Sequence, residues 1–262
     1  MPHAAVNGIE IAYEVMGDGP PLLMLAGLGG AGRSWGAHRE RFATEFTTIV
    51  PDHRGTGDST PALDGYTIEA HATDMAELLR ALEAAPAHVV GSSTGGAIGQ
   101  LMALDHPDVV RSLCLVSSWA GPDDYFERQF AVRKRVLLGE GVAAYADASA
   151  LFLFAPSFAV SQPEVVRAWR DKAVSGTKNP EIMARRIDMI VAHDQRARLR
   201  DVDVPTMVLV GSEDICTPPH ASRELAGLIP DATLEVMDAG HLVYNERPEE
   251  FHALVAGFLR SH

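Results

Sequence analysis

One serine in this 262-residue chain stands in a sequence pattern that can make it a nucleophile. The run Gly91-Ser92-Ser93-Thr94-Gly95 fits the pattern G-x-S-x-G, with Ser93 at its centre. In such a motif the serine occupies a sharp turn between a strand and a helix, and the glycines remove Cβ atoms where the two elements approach each other. Ser92 is the competing nucleophile, but the glycine spacing favours Ser93.

A nucleophilic serine needs a base to take its proton, and the base needs a carboxylate to orient it and to stabilise its charged form. In a doubly wound sheet these groups come from loops at the carboxyl ends of strands. Asp214 follows an apolar run that ends at Gly211, and His241 follows another that ends at Met237. The sequence therefore predicts a triad of Ser93, Asp214 and His241.

Other ionisable residues compete for the acid and base roles. Glu213 directly precedes Asp214, but its side chain should point away if Asp214 faces the site, and Asp238 is the less favoured acid in the next strand-end loop. The alternative bases are His53, His193, His220 and His252. The 11 histidines show neither H-E-x-x-H nor clustered ligand spacing, so no metal site is predicted.

Acyl transfer also needs hydrogen-bond donors for the oxyanion that develops on the substrate. The backbone N–H of Thr94, directly after the nucleophile, is one expected donor. The second should come from the glycine-rich segment 26–30, where the backbone N–H of Leu28 is the expected donor. This segment lacks the glycine spacing of nucleotide-binding loops, so no cofactor is predicted.

The segments that must position these residues alternate between strands and helices. Continuous apolar runs predict strands at residues 21–26, 47–51, 88–91, 113–117, 205–211 and 233–237. Apolar residues at steps of three and four predict a helix over 67–85 with Thr67 as its N-cap. Alternation around Asn7-Gly8 predicts a hairpin. The fold class is therefore α/β, with a mostly parallel, doubly wound sheet and an N-terminal antiparallel hairpin.

Between Trp119 and Arg200 helical periodicity replaces the strand patterns. Apolar stripes there predict an all-helical insertion of about four helices. The predicted division is a core of residues 1–118 and 201–262 and an insertion of residues 119–200. Trp119 and Phe130 are candidates for lining a substrate pocket, with packing inside the insertion as the equal alternative.

The net charge of −13 argues against nucleic acid or an anionic membrane as a partner. Residues 119–200 carry 13 basic and 10 acidic side chains, which could favour an anionic substrate, although a solvated helical surface is the preferred interpretation. No run is long and apolar enough to span a bilayer, and the first residues lack the pattern of a signal peptide, so a cytoplasmic location is expected. Cys114 and Cys216 are expected to be free thiols.

Together these segments resemble the α/β-hydrolase superfamily over essentially the whole chain. The matching pieces are the glycine-rich segment 25–32, Asp52-His53-Arg54-Gly55-Thr56-Gly57-Asp58-Ser59, the elbow around Ser93, Gly211-Ser212-Glu213-Asp214, and Ala239-Gly240-His241. The resemblance implies that the insertion is a helical cap over the active site. Within the superfamily the chain looks like the branch of 3-oxoadipate enol-lactonases, small carboxylesterases and the aminoacrylate hydrolase of pyrimidine degradation, and its insertion looks most like the last.

Two positions depart from the pattern of the family. The oxyanion segment has Ala26-Gly27 where the family often has His-Gly, so a hydrogen-bonding side chain is missing while the backbone donor is kept. The residue before the nucleophile is Ser92 where the family often has His. Serine at position 93 argues against haloalkane dehalogenases and epoxide hydrolases, which place Asp there.

The resemblance and the residues together predict a cofactor-free serine hydrolase that cleaves a small carboxylic ester or lactone through an acyl-enzyme. Three alternatives stay open: hydrolysis of a C–N bond in an amide, carbamate or aminoacrylate-type substrate, cofactor-free haloperoxidase or perhydrolase activity, and ligand binding without catalysis. The expected partner is a small-molecule substrate, and the sequence leaves a homodimer open.

Overall fold

The computed structural model describes residues 1–62 and 64–262. The strands are β1 His3–Val6, β2 Ile9–Met16, β3 Pro21–Leu25, β4 Thr47–Pro51, β5 Ala87–Ser92, β6 Val110–Val116, β7 Thr206–Gly211 and β8 Thr233–Met237. They form one sheet in the order β1-β2-β4-β3-β5-β6-β7-β8. The pairs β1/β2 and β2/β4 are antiparallel, and all other neighbours are parallel. The predicted sheet, with its antiparallel N-terminal part, is confirmed.

The hairpin between β1 and β2 closes at the predicted dipeptide. Asn7 and Gly8 have φ angles of 46° and 78°. Both central residues therefore lie in the left-handed region, as a type I′ turn requires, and Asn and Gly tolerate that region best. The turn brings Val6 opposite Ile9 and sets the register of the hairpin.

The central strands owe their apolar composition to burial on both faces of the sheet. Every residue of β5 and of β7 is buried. Only the carboxyl ends of these strands can therefore present polar side chains to a site.

Helices cover the sheet on both sides. They are α1 His38–Phe42, α2 Ile68–Ala81, α3 Thr94–Asp105, α4 Asp124–Glu140, α5 Val142–Leu153, α6 Pro156–Ser161, α7 Pro163–Gly176, α8 Pro180–Ala192, α9 Pro219–Leu228, α10 Val243–Glu246 and α11 Pro248–Arg260. Short 3₁₀ helices lie at Gly32–Trp35, Pro107–Val109 and Leu199–Asp201. One hydrophobic cluster joins α2 and α3 to α4 and α8, and a second joins α1 to α11 on the opposite face.

The predicted N-cap of α2 is confirmed, and the end of α3 has a local cause. The helix α2 begins directly after Thr67, whose hydroxyl accepts a hydrogen bond from the Ala70 N–H at 3.1 Å. The helix after the elbow, α3, ends at Asp105, directly before His106 and Pro107. Pro107 disfavours helical geometry at the residue before it, which explains the stop.

The insertion between β6 and β7 contains five helices, α4 to α8, and no strand in residues 117–205. The sequence predicted about four helices, because the single turn and a half of α6 is too short to show a periodic stripe. The apolar stripe of α4 is buried as predicted, whereas α7 buries no residue completely. The domain boundaries at 118/119 and 200/201 stay a prediction.

Among the described residues, no helix combines the length and the apolar character needed to cross a bilayer.

Candidate active site

Ser93 occupies the sharp turn between β5 and α3. Its backbone angles are φ 53° and ψ −111°, which a residue with a side chain rarely adopts. The Ser93 N–H donates to the Val116 carbonyl at 2.7 Å, and the Ser118 hydroxyl donates to the Ser93 carbonyl at 3.1 Å. Neighbouring residues therefore hold the strained conformation from both sides of the turn.

The glycines of the motif are required by close approaches of backbone to backbone. A Cβ on Gly91 would lie 2.3 Å from the Gly95 carbonyl oxygen, and a Cβ on Gly95 would lie 2.2 Å from the Leu25 carbonyl oxygen. Both distances are far inside van der Waals contact. The expectation that the glycines serve close packing of strand and helix is confirmed.

The neighbouring serine is placed differently from Ser93. Ser92 is the last residue of β5 and is 1% exposed, whereas Ser93 is partly exposed. Ser93 is therefore partly accessible from outside, while the Ser92 hydroxyl is buried in the interior.

The predicted acid and base meet at the carboxyl ends of β7 and β8. Asp214 Oδ2 accepts a hydrogen bond from His241 Nδ1 at 2.8 Å, and the two side chains are 0% and 3% exposed. With Nδ1 as the donor, His241 keeps a proton-free Nε2 that can act as a base. Ser93 Oγ and His241 Nε2 make no hydrogen bond with each other in the structure, a contact that often forms only in the substrate complex.

Backbone groups hold the Asp214 carboxylate in place. Its Oδ1 accepts from the N–H groups of Cys216 at 2.8 Å and Thr217 at 2.9 Å. The Thr217 hydroxyl lies 2.9 Å from Asp214 Oδ2 and 2.9 Å from the Ser117 carbonyl. Donors on a tight local turn keep the carboxylate fixed while the imidazole gains and loses a proton.

The loop that carries His241 is fixed by two further side chains. The Ser117 hydroxyl donates to the His241 carbonyl at 3.0 Å. Glu246 accepts from the Gly240 N–H at 3.0 Å and from the Ala155 N–H at 3.0 Å. Burial raises the pKa of Glu246, against the effect of these two backbone donors. Glu246 therefore ties the histidine loop to the start of α6.

The predicted oxyanion donors lie beside the nucleophile. The Gly30 N–H donates to the Gly27 carbonyl at 2.9 Å, which closes a turn with Leu28 and Gly29 at its centre. A Cβ built on Gly27 would lie 3.6 Å from Ser93 Cβ, so this turn adjoins the nucleophile. Neither the Leu28 nor the Thr94 backbone N–H finds an acceptor among the described residues. Thr94 also begins α3, whose dipole places partial positive charge at this end.

The rival acids lie apart from the site. Glu213 is exposed and is 3.4 Å from the Ser157 hydroxyl, and Asp238 is exposed and pairs with Arg247 at 3.0 Å. Neither contacts His241.

The rival bases are engaged elsewhere. His220 pairs with Asp123 at 2.7 Å on the surface, and His193 lies 3.2 Å from Gln100 Oε1 in the interior. His252 packs against Phe42 at a ring distance of 4.6 Å, and His53 is buried beside a cap arginine. Each therefore has a packing or pairing role away from Asp214.

The two pocket candidates are buried in one hydrophobic cluster. Trp119 is 1% exposed and packs against Phe126 and His193, with ring distances of 4.7 Å and 5.9 Å. Phe130 is 3% exposed and packs against Phe126 and the Arg133 guanidinium. Packing is thus observed for both, and a role in lining the pocket stays a prediction.

Sequence reasoning missed the residues that hold the triad and the oxyanion loop. Thr217 and Glu246 offer no periodic signal, because each acts through a loop. The sequence does contain a signal for Arg186, because this residue lies four positions from Ile182 and four from Ile190, on the buried stripe of α8. A charged residue on an apolar stripe indicates either a buried partner or a function.

The remaining predictions concern the two cysteines and metal binding. Cys114 and Cys216 are free and buried, and burial raises the pKa of both thiols. Among the described residues, no three His, Cys, Asp or Glu side chains converge as a metal site.

The fold and the geometry agree with comparisons to known proteins. Residues 20–248 match the family model described as alpha/beta hydrolase fold, and the chain belongs to this family. A relative from Azorhizobium caulinodans, named "Putative carbamate hydrolase RutD", is 37% identical over 259 residues, covering 98% of each chain.

Two solved structures are similar over nearly their whole length. The enol-lactonase from Burkholderia xenovorans LB400 has a TM-score of 0.91 and 30% identity, covering 99% of this chain and 100% of its own. A thermophilic esterase from Thermogutta terrifontis has a TM-score of 0.89 and 31% identity, covering 99% and 98%.

Proposed function

We propose that this protein is a serine hydrolase that works through an acyl-enzyme on Ser93. The observation that carries the proposal is the buried 2.8 Å hydrogen bond between Asp214 and His241, in loops beside the strained turn of Ser93. This arrangement supplies a nucleophile, a base with a defined tautomer and a carboxylate that stabilises the imidazolium.

The reaction follows from these positions. Ser93 Oγ attacks the substrate carbonyl while His241 Nε2 takes its proton. The negative charge that develops on the carbonyl oxygen is stabilised by the N–H groups of Leu28 and Thr94. His241 then returns the proton to the leaving group, and a water deprotonated by His241 releases the acyl group from Ser93.

The bond that we propose for cleavage is the C–N bond of a small carbamate-type substrate. The name of the RutD relative, which matches this chain from end to end, supports this class over a small ester. An amine leaves poorly as an anion, so cleavage of a C–N bond depends on protonation by His241 in the same step. A histidine held by a buried carboxylate is suited to this demand, because the carboxylate stabilises the imidazolium that donates the proton.

Hydrolysis of a small ester or lactone is the second candidate. It is supported by the likeness to the enol-lactonase and to the esterase, which extends over the cap as well as the core. The same triad serves both bonds, and an alkoxide leaving group depends less on protonation than an amine does.

A matched substrate panel separates the two candidates. Its members are N-alkyl carbamates and amides, whose C–N cleavage is followed by release of the amine, carbonates and esters with the same acyl groups, and small lactones. Ser93→Ala is the loss-of-function variant, and Ser92→Ala is its matched control because it changes the adjacent buried serine. We expect Ser93→Ala to lower kcat by as much as roughly 10⁶-fold and Ser92→Ala to keep activity.

Several outcomes would reject parts of the proposal. A higher kcat/KM for lactones and esters than for carbamates with the same acyl group selects the second candidate. Full activity in Ser93→Ala would show that Ser93 is not the nucleophile. Halogenation that requires peroxide, or tight ligand binding without turnover, would replace hydrolysis as the function. Intact-protein mass spectrometry should detect the acyl group on the wild type and not on Ser93→Ala.

A further inference from the structure

One cap side chain reaches into the core and touches the oxyanion loop. Arg186, on α8, is completely buried, and its Nε donates to the Leu28 carbonyl at 2.8 Å. The packing is close, because a Cβ on Gly30 would lie 2.7 Å from Arg186 Nη2. A cap residue therefore contacts the same loop residue whose N–H is the proposed donor.

The hydrogen-bond partners of the Arg186 guanidinium are neutral groups of the protein. Nη1 lies 2.9 Å from His71 Nε2 and 3.4 Å from the Arg54 carbonyl, and Nη2 lies 3.2 Å from His53 Nδ1. No carboxylate of the described residues pairs with it. Burial lowers the pKa of Arg186 to about 10, so the side chain is still a cation at neutral pH.

Both imidazoles accept hydrogen bonds from this cation. His71 Nδ1 lies 2.8 Å from the Thr67 carbonyl, which makes Nδ1 the donor and leaves Nε2 to accept from Arg186. Burial and the Arg186 charge hold the pKa of His53 and of His71 well below the usual 6.5. Burial of a cation among neutral partners weakens the fold, so the position of Arg186 is not explained by stability.

The carbonyl that Arg186 holds belongs to the central peptide of the Gly27–Gly30 turn. The orientation of this peptide distinguishes a type I from a type II turn. Type II needs a positive φ at Gly29, a conformation that glycine adopts easily, but the φ of Gly29 in the structure lies outside that region. Sequence alone therefore leaves both turns accessible, and the bond from Arg186 Nε favours one of them.

We propose that Arg186 is a positioning residue for the oxyanion hole, acting from the cap through the Leu28 carbonyl to fix the Leu28 N–H toward the substrate oxygen. The inference rests on the proposed function and deepens it. The Gly30–Gly27 bond fixes the peptide that carries the Leu28 N–H, and Arg186 fixes the next peptide. With both held, the donor needs no reorganisation when the oxyanion forms.

The test compares Arg186→Met and Arg186→Lys with Ile190→Ala. Ile190 is a buried residue one turn further along α8, so its variant reports general loosening of the cap. Since loss of a whole oxyanion donor costs about 10²- to 10³-fold, we expect a misaligned donor to lower kcat by roughly 10- to 100-fold in both Arg186 variants. KM should change by less than about threefold, because the interaction strengthens only in the transition state.

A transition-state analogue separates positioning from structural support. A trifluoromethyl ketone forms an oxyanion on Ser93, so its affinity should fall by the same factor as kcat in the Arg186 variants. Ile190→Ala should lower the melting temperature yet leave this affinity unchanged. Equal losses in Ile190→Ala and Arg186→Met, or unchanged kcat in Arg186→Met, would overturn the proposal.

Chemical rescue shows whether a variant loses kcat because the guanidinium is missing or because the protein is misfolded. A groove of about 340 Å³ lies against Arg186, with Gly29 and Lys178 among its other lining residues, so truncation to alanine should open a path from this groove to the vacated position. Guanidinium ion should restore part of the kcat lost in Arg186→Ala, whereas methylammonium, which lacks the planar fork, should not. Rescue by both cations alike would also overturn the positioning role.

Labelling with a fluorophosphonate distinguishes failure of this inference from failure of the proposed function. If the wild type is not labelled at Ser93, the serine hydrolase proposal fails and the inference fails with it. If the wild type and Arg186→Met are labelled at the same rate, only the inference fails. Slow labelling of Arg186→Met beside fast labelling of Ile190→Ala supports both.

Discussion

The two halves of the candidate site are held in place by different parts of the molecule. Asp214 and His241 are fixed by the core, through the N–H groups of a local turn and the Ser117 hydroxyl. The oxyanion loop is glycine-rich, and its Leu28 carbonyl is held by Arg186 of the cap. Asp214 is thus held by contacts within the core, and Glu246 also ties the histidine loop to Ala155 at the start of α6. The oxyanion loop is held by a residue more than 150 positions away in the chain.

The difference suggests how one core can serve different substrates. The carboxylate and the imidazole that move protons are needed for every acyl transfer, and they lie in loops at the carboxyl ends of β7 and β8. The turn that would bind the developing charge shares a hydrogen bond with the cap. A change in the cap can therefore alter the rate of catalysis as well as binding.

The largest effect should come from breaking the core half of the site. Asp214→Asn keeps the shape of the side chain but removes the charge that fixes the His241 tautomer. We expect kcat to fall by about 10⁴-fold with an unchanged melting temperature. Glu213→Gln, a change of the exposed neighbouring acid, is the matched control and should have wild-type kcat. Activity above a tenth of wild type in Asp214→Asn would contradict the assignment.

The second prediction compares the loss of stability on replacing two buried arginines that lie close together, Arg54 and Arg186. Arg54 makes a two-pronged ion pair with Asp74, at 2.7 and 2.9 Å, and this bond raises the pKa of Arg54. Arg54→Met leaves a buried carboxylate unpaired and should lower the free energy of unfolding by about 3–5 kcal/mol. Arg186→Met leaves no buried charge behind, so it should lower the free energy of unfolding by less. Urea unfolding measures both, and the reverse order would refute the contrast.

Acid pH should destabilise the protein through His53 and His71, the two histidines that accept hydrogen bonds from Arg186. The pKa of His53 and of His71 is held below 6.5 in the folded protein by burial and by Arg186, so the unfolded chain binds more protons below pH 6.5. Their contribution to stability is present above pH 6.5 and is lost as the pH falls, at about 1.4 kcal/mol per pH unit for each histidine.

Urea unfolding between pH 7.5 and 5.5 measures this slope. His71→Gln, which cannot be protonated, should flatten the slope by the share of one histidine. An identical slope in the variant would show that other groups cause the acid sensitivity.

The smallest effect sharpens the description of the oxyanion turn. A Cβ on Gly29 would meet no atom within 4 Å, so Gly29→Ala should fold normally. Alanine disfavours the positive φ of a type II turn relative to glycine, because its Cβ comes too close to the following carbonyl oxygen. In the Arg186→Met background it should therefore raise kcat by about two- to fivefold, while leaving the kcat of the otherwise wild-type enzyme nearly unchanged. No gain in the double variant would show that turn type is not what Arg186 controls.

Much of the fold could be predicted from the sequence, because its signals are local. Apolar runs gave the parallel strands, Asn7-Gly8 the hairpin turn, and Thr67 the start of α2. The short helix α6 and the incomplete burial of α7 could not be predicted, since both depend on what packs against the cap.

The sequence by itself determined the order of the elements and predicted Ser93, Asp214 and His241 as the candidate triad, because motif spacing and strand-end positions follow from local steric rules. Only the tertiary structure decided which groups support them. Glu246 and Arg186 contact backbone atoms of segments that are distant in the chain, and such hydrogen bonds leave no pattern of residue types in the partner segment. The Thr217 hydroxyl lies between the Ser117 carbonyl and the Asp214 carboxylate. Arg186 is buried away from water, so its guanidinium takes the Leu28 carbonyl as a hydrogen-bond partner instead of water.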